Sequence, residues 1–481
     1  MITILDCYTD EPAGLGVPPY LGVYPRYIAG SLDEDAVYLT IDDLRAFKKG
    51  IRETKHHQKT DISTYNLTKN FSRISEILDN TKEMIIIAGV HTPGKYLSAV
   101  PGTLKEIIEL IKDIKCRKIL TGPAVFGTSI QGGKFSEKAD LSNFHEVKEF
   151  NFSYDKISKF ALKGAKIISQ IPDIRIIEIE TSRGCPRLEH CSFCTEPIKS
   201  KFLIREKKDI VDEVIAFYKL GCRYFRIGKQ SDFYSHPDAI EILKEIRMKC
   251  PAIKVLHIDN VNPASVITKK GISITKAIIE YCTPGNVAAF GVESFDPEVV
   301  VQNKLNSDPE MSYEAGRILN KYGAVRGENG MPKFLPGINL IYGLIGESKK
   351  TNDFNLSWLK RFLDEGLLVR RINIRQVDIF EGTPLFKTTG NKFLHKNKKY
   401  YWKWRNSVRQ EIDNPMLQKI VPLGTMLKEV YMEIYDGNTT FGRQIGTYAL
   451  IVGIKGRLEL KKFYDIKIVG YMLRSVVGEV V

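Results

Sequence analysis

Several things are scarce or missing in this 481-residue chain. No run of about 18 apolar residues occurs, which excludes a protein that crosses a membrane on helices. No basic stretch followed by an apolar one stands at the start, where Met1–Asp6 reads at once as a strand. The expectation is therefore no secretory signal and a cytoplasmic location. Internal repeats and low-complexity tracts are not found. Cysteine is sparse, with eight residues, and in a cytosolic chain of this size a disulfide framework is not expected. Acidic residues number 57 against 71 basic ones, a formal net charge of +14. Such a balance suits a phosphate-rich partner such as RNA, or a solvated lysine-rich surface. The hydrophobic fraction of 43% is ample for a core. The length implies two to four domains.

Residues 1–150 read as a Rossmann-like α/β domain. Strands are expected at Ile2–Leu5, Met84–Ala88 and Lys118–Leu120, and a helix at Thr103–Ile114. Turns rich in Gly and Pro follow them, at Pro12–Pro25, His91–Gly94 and Gly122–Gly127. Alternation of this kind implies a parallel sheet whose ligand site lies at the carboxyl ends of its strands. Residues 48–72 read as a polar surface insertion and 128–158 as a linker.

Over 165–390 the pattern becomes regular. Strands are expected at Ile174–Ile179, Tyr224–Ile227, Ile253–Ile258, Val287–Val292, Ile338–Leu344 and Ile372–Val377. Helices lie between them, one stopped by Gly221 and another opened by Asp308-Pro309. Six such repeats predict a partial (β/α)6 barrel of TIM type, with its chemistry just after each strand. Residues 391–440 form a basic, aromatic connector, with a further helix expected at Leu423–Tyr435. In it, Tyr400, Tyr401, Trp402 and Trp404 read either as a platform for stacking bases or, the favoured reading, as a buried helix face. Residues 441–481 read as a small antiparallel β-barrel, with strands at Ala449–Val452, Leu458–Leu460, Asp465–Val469 and Val476–Val481.

Five cysteines are scattered. The other three, Cys185, Cys191 and Cys194, fall in a Cys-x5-Cys-x2-Cys pattern immediately after the first barrel strand. Three close thiolates suit three irons of a [4Fe-4S] cluster, leaving the fourth iron open to a ligand. A Cys3His zinc site with His190 is the main alternative, although adjacent His190 and Cys191 would strain the loop. Inert buried cysteines fit a loop rich in Arg, Glu, Ser and Pro poorly.

At this point the chain resembles the radical SAM superfamily, whose usual motif is Cys-x3-Cys-x2-Cys with an aromatic residue before the last cysteine. Phe193 holds that place here, and the first gap is two residues longer. The resemblance implies that Cys185, Cys191 and Cys194 bind the cluster. It also implies that S-adenosylmethionine is cleaved to a 5′-deoxyadenosyl radical for C–H functionalisation. Around the methionyl amine it implies Gly228, Gln230 and Ser231, without the Gly-Gly-Glu form usual there. Glu293 and Ser294 fall at the ribose or amino-acid end. Asn339, Gly343 and Ile345 fall on the adenine side, and Arg375 and Val377 follow the sixth strand. Taken singly, each of these motifs also reads as a turn or strand cap.

The order of domains is similar to that of methylthiotransferases, which modify tRNA or a ribosomal protein, and the tail resembles a TRAM-type RNA-binding domain. Those enzymes hold a second cluster on three N-terminal cysteines; only Cys7 and Cys116 lie there in this chain. The N-terminal domain also resembles the cobalamin-binding domain of many radical SAM proteins, through Gly14–Gly22, Ile85–Pro93 and Leu120–Ala124, but lacks an Asp-x-His-x-x-Gly motif. His91 reads as a loop histidine rather than a cobalt ligand. Over its whole length the chain resembles an archaeal-type group of radical SAM proteins.

The leading expectation is a radical SAM enzyme acting on RNA, with tRNA foremost, and taking electrons from a ferredoxin or flavodoxin. One alternative is a cobalamin-dependent radical SAM methyltransferase acting on a small molecule or lipid. The other is a zinc-stabilised, non-enzymatic RNA-binding protein.

Overall fold

The structure is a computed structural model, and it describes residues 1–11, 14–50, 65–89, 99–127, 132–138 and 140–481. By its contacts the chain divides into two compact units. The first comprises Met1–Gln131, Ser136–Glu180 and Arg205–Phe225; the second comprises Gly132–Phe135, Thr181–Ile204 and Arg226–Val481.

In the first unit, Ile2–Asp6 lies between Val37–Thr40 and Glu83–Ile87, and Arg117–Thr121 and Glu146–Val147 extend the sheet, all in parallel. The strands are apolar runs (Ile-Thr-Ile-Leu, Met-Ile-Ile-Ile), as expected where both faces of a parallel sheet are covered. Leu5, Leu39, Ile86 and Leu120 are fully buried in one cluster with Ile107 and Ile111 of helix Leu104–Ile111. Thr103 caps that helix by accepting from the Glu106 N–H. The Gly14–Gly22 segment contains a short strand, Tyr20–Leu21, paired in parallel with Ile176–Ile177. The whole His91–Gly94 turn and most of the 48–72 insertion lie outside the described residues.

The second unit holds parallel strands in the order Asn260–Val261, Asn286–Glu293, Phe334–Tyr342 and Arg371–Gln376. Helices Lys269–Tyr281, Pro309–Gly323 and Lys349–Asp364 alternate with them. The Asp308 carboxylate accepts from the Met311 N–H with Pro309 at the first helical position, so that helix starts where its capping residues place it.

The C-terminal strands close into a barrel in the order Met426–Asp436, Thr439–Gln444, Ile451–Lys455, Val476–Val480 and Phe463–Tyr471. Every pairing described is antiparallel except that of Ile451–Lys455 with Val476–Val480. Two expectations are corrected here. Leu423–Tyr435 is not a helix, because Met426–Asp436 is the first strand of the barrel. Leu458–Leu460 is not a strand, because the N–H of Leu458 donates to Thr440 Oγ1 and its carbonyl accepts from Tyr435 OH.

The barrel sits against the end of the parallel strands where they begin. Gln444 Nε2 donates to Asn329 O, ahead of Phe334. Arg370, just before Arg371–Gln376, donates to Tyr448 O. Thr447 N donates to His257 Nδ1, and Tyr448 OH donates to Asp259, which is also ion-paired with buried Arg226. The seam leaves a cavity of about 20 Å³, room for roughly one water.

Candidate active site

The three clustered cysteines lie on a loop closed at its base by a two-stranded antiparallel ribbon, Ser182–Arg183 with Leu203–Ile204. Gly184 enters the loop at φ +68°, and a Cβ there would come within 2.6 Å of Lys201 O, so only glycine lets the two limbs close. Ser231 Oγ donates to the Gly184 carbonyl at 2.9 Å, tying the loop to the residues after strand Tyr224–Lys229. Between the second and third cysteines the chain turns tightly, with Cys194 N donating to Cys191 O at 3.1 Å.

The middle of this turn is held by Asn303, a residue not singled out by sequence reasoning. Asn303 Oδ1 accepts from Ser192 Oγ at 2.6 Å and from Ile345 N at 3.1 Å. Its Nδ2 donates to Val299 O and Ile345 O, both at 2.8 Å. Its carbonyl accepts from Ser192 N. One fully buried amide thus joins the cysteine turn to the Gly343–Ile345 turn. It follows helix Pro297–Gln302 with no periodicity or motif to mark it.

Phe193 and Cys191 pack on an apolar cluster made of Val299, Leu305, Leu344, Val377, Ile379 and Leu385, which Ile345 also joins. The structure therefore brings Phe193, Ile345 and Val377 together. Gly343 has φ +101°, and its N–H and that of Leu344 both donate to buried Glu347. Burial pushes the Glu347 carboxyl up to about 8.

At the end of strand Asn286–Glu293 the register shifts and Glu293 takes φ +62°. For a non-glycine residue this costs on the order of 1 kcal/mol, a strain typical of functional sites. Burial pushes the Glu293 carboxyl up to about 8, against a lowering by Arg375. Among the described residues Glu293 Oε2 and Asn306 Oδ1 are buried without a hydrogen-bond partner. They are neighbours: a Cβ on Gly291 would lie 3.1 Å from Glu293 Oε1 and 3.4 Å from Asn306 Nδ2. The carboxylate of Glu293 is also close enough to raise the Cys191 thiol, which burial chiefly pushes up to about 11. Burial likewise pushes Cys194 to about 12 and raises Cys185. Neutral thiols in this setting call for a cation to take them as thiolates.

Other expected site residues are already engaged. Gly228 is needed because the Arg226 guanidinium lies across it, 2.5 Å from where a Cβ would stand. Gln230 is buried, with Nε2 donating to Ile227 O and Oε1 accepting from Thr181. Ser294 Oγ accepts from Asp296 N, and Asn339 Oδ1 accepts from Asn373. Arg375 is exposed. On helix Lys392–Ser407, Tyr401 and Trp404 are buried against Tyr342, with ring centroids 4.9 and 5.7 Å away. Of the four aromatics on the expected stacking platform only Trp402 stands exposed, so the buried-face reading holds. Among the described residues no three His, Cys, Asp or Glu side chains meet at a single-ion position. A cubane takes each thiolate on a different iron and needs no such point.

Residues 179–355 match the model of the Radical SAM superfamily. The chain belongs to that superfamily. It is an iron–sulfur enzyme that uses S-adenosylmethionine, and the zinc-stabilised, non-enzymatic alternative is set aside. Two archaeal relatives span nearly all of it. The uncharacterised protein MJ0274 of Methanocaldococcus jannaschii is 40% identical over 99% of this chain and 93% of its own. An uncharacterised protein of Archaeoglobus fulgidus is 38% identical over 98% and 88%. Among solved structures, the radical S-adenosylmethionine methyltransferase TsrM of Kitasatospora setae, with cobalamin and a [4Fe-4S] cluster bound, aligns over 80% of this chain and 76% of its own. Its TM-score is 0.52 at 14% identity. The cobalamin-dependent S-adenosylmethionine radical enzyme OxsB aligns over 84% and 56%, with TM-score 0.50 at 11% identity. At these identities the likeness is one of fold. No helix among the described residues is long and apolar enough to cross a membrane.

Proposed function

We propose that Cys185, Cys191 and Cys194 hold three irons of a [4Fe-4S] cluster and leave the fourth to the amine and carboxylate of S-adenosylmethionine. The observation that carries this is the pair of unsatisfied buried acceptors, Glu293 Oε2 and Asn306 Oδ1, beside the cysteine turn. Buried polar atoms are normally hydrogen-bonded, so orphans at a strand end call for a ligand with donors. An ammonium or a ribose hydroxyl supplies them. Once bound, the cluster and S-adenosylmethionine supply hydrogen abstraction from an unactivated carbon. The chain's own part is to position and to exclude water. Phe193, Ile345 and Val377 form an apolar wall for the adenine, and Gly343 lets the backbone approach it. Ser231, Ser294, Asn339 and Arg375 lie on the polar side. Gly228 and Gln230 support this arrangement from beneath.

We further infer cobalamin-assisted methylation, with residues 1–150 as the cobalamin domain, 165–390 as the radical SAM barrel, 391–425 as connector, shorter than the expected 391–440 because Met426–Asp436 is already a barrel strand, and 426–481 as the β-barrel. Support comes from the carboxyl ends of the first sheet. There Thr121 Oγ1 is buried without a partner among the described residues, and Gly122, at φ +92°, lets the chain pass close to the neighbouring strand end, where a Cβ would stand only 2.6 Å from Ala88 O. TsrM and OxsB, whose fold the chain shares, are named as cobalamin enzymes.

For the substrate, an RNA such as tRNA is favoured over a small molecule or lipid. Lys392, Lys396, Lys398, Lys399 and Lys403 are all exposed on one helix of a chain with net charge +14. A ferredoxin- or flavodoxin-type protein is the electron donor in this reading.

The test is anaerobic. Wild type and Cys191→Ala are reconstituted with iron and sulfide, reduced, and assayed for 5′-deoxyadenosine from S-adenosylmethionine. Production by wild type alone is expected; zinc in place of iron, with no product, would overturn the reading. Hydroxocobalamin uptake, read from its visible spectrum, tests the second cofactor. Salt-dependent RNA affinity tests the substrate class.

A further inference from the structure

The five-residue gap between the first two cysteines is longer than the three residues usual in the superfamily this chain resembles, and the structure shows what fills it. Arg187 Nη1 donates to Cys191 Sγ at 3.2 Å, while its Nη2 donates to the Leu305 carbonyl at 3.1 Å. The guanidinium is therefore anchored at two points and presented to one particular sulfur. Two residues on, Glu189 pairs at the exposed surface with Lys304 of the same segment at 2.8 Å, and Leu188 between them is fully exposed. The gap is thus anchored to the Lys304–Leu305 segment chiefly through Arg187. Lys304 and Leu305 directly follow Asn303, so one short stretch holds both the gap and the cysteine turn.

Resting on the reading that Cys191 is a cluster ligand, we propose that Arg187 is a positioning residue that raises the reduction potential of the cluster. Hydrogen bonds to the ligating sulfurs and the local charge are among the determinants of iron–sulfur potentials. Reduction adds one negative charge to the cluster. A fixed cation donating to a thiolate ligand stabilises that more negative state over the oxidised one. The electron comes from an external one-electron donor, a reduced ferredoxin- or flavodoxin-type protein in the cell and dithionite in the test. No bond forms or breaks at Arg187, and it gives up no proton.

The experiment uses the full-length, anaerobically reconstituted holoenzyme as wild type, Arg187→Gln and Arg187→Lys. Iron and sulfide are counted, and the reduced cluster is followed by electron paramagnetic resonance through a potentiometric titration. At the wild-type midpoint the ratio of reduced to oxidised cluster should fall about tenfold in Arg187→Gln, which for one electron is about 59 mV. Arg187→Lys keeps the charge but not the fork and should fall between the two. Fully loaded wild type and Arg187→Gln that titrate together would overturn the proposal while leaving the cluster assignment intact. If Arg187→Gln loads poorly, Arg187→Lys carries the test, and a midpoint equal to that of wild type overturns it. A wild type that assembles no [4Fe-4S] cluster would overturn the functional reading itself, and this proposal with it.

Discussion

Replacing Asn303 with alanine should loosen the cysteine turn far more than an ordinary single deletion. The side chain makes four hydrogen bonds: from Ser192 Oγ and Ile345 N, and to Val299 O and Ile345 O. The Val299 carbonyl keeps a partner in the backbone N–H of residue 303, so it is spared. Three groups lose theirs: the Ser192 hydroxyl and both backbone groups of Ile345. An unsatisfied buried group costs about 1–3 kcal/mol, and a water entering the vacated space recovers part of it, leaving about 3–5 kcal/mol. Local opening of the turns at Ser192 and Ile345 should rise accordingly. Amide hydrogen exchange of peptides covering these two residues, read by mass spectrometry, should quicken by about 150-fold or more. Ser192→Ala is the control; it removes a single bond and leaves Asn303 Oδ1 with Ile345 N, so exchange there should quicken less than tenfold. An Asn303→Ala variant whose exchange stays within tenfold of wild type, about 1.4 kcal/mol, would refute the claim that this amide holds the site together.

Three further outcomes are expected. Burial depresses His257 from 6.5 to about 4, so the folded state resists the proton that the unfolded chain takes up. Stability is then complete above pH 6.5 and lost as the pH falls toward 4, by roughly 3 kcal/mol from this group, and His257→Gln should flatten urea midpoints measured across that window. Gly343→Ala forces a Cβ into φ +101°, 2.9 Å from Leu394 Cδ1, and should destabilise by about 1–3 kcal/mol, seen as a lower thermal midpoint. Trp404→Ala should cost about 3–5 kcal/mol in a denaturant titration, whereas Trp402→Ala, 61% exposed, should cost less than about 0.5.

Much of the scaffold was legible because its signals are local. Asp308-Pro309 and Gly221 mark helix ends through capping and positive φ, and apolar runs mark strands covered on both faces. Of the two elements misread, Met426–Asp436 has a specific cause. Glu429 takes φ +52° and the register shifts between Leu427 and Val430, so both of these face inward, three residues apart. That bulge gives a strand the spacing of a helix. The cysteines and Phe193 were legible because their spacing is itself the signal. Asn303, Asn306 and Arg187 were not, because their roles rest on what lies opposite them in space. Gln230 shows the same limit: its amide also bonds Ile227 and Thr181, partners that spacing cannot reveal.

The seat of the small β-barrel has a further consequence. It stands where the parallel strands begin, whereas the cysteine turn, Glu293 and Gly343 stand where they finish, with Tyr448, Asp259 and Arg226 between. The barrel acts as a cork. A carbon-centred radical survives only where stray solvent and oxidisable side chains are kept away, and the seam here has room for about one water. With the barrel seated on this floor, solvent, substrate and product are expected to reach the site from the opposite rim. Trimming the tail should accordingly show itself as uncoupling, with S-adenosylmethionine consumed and no substrate modified, before it shows as any loss of binding.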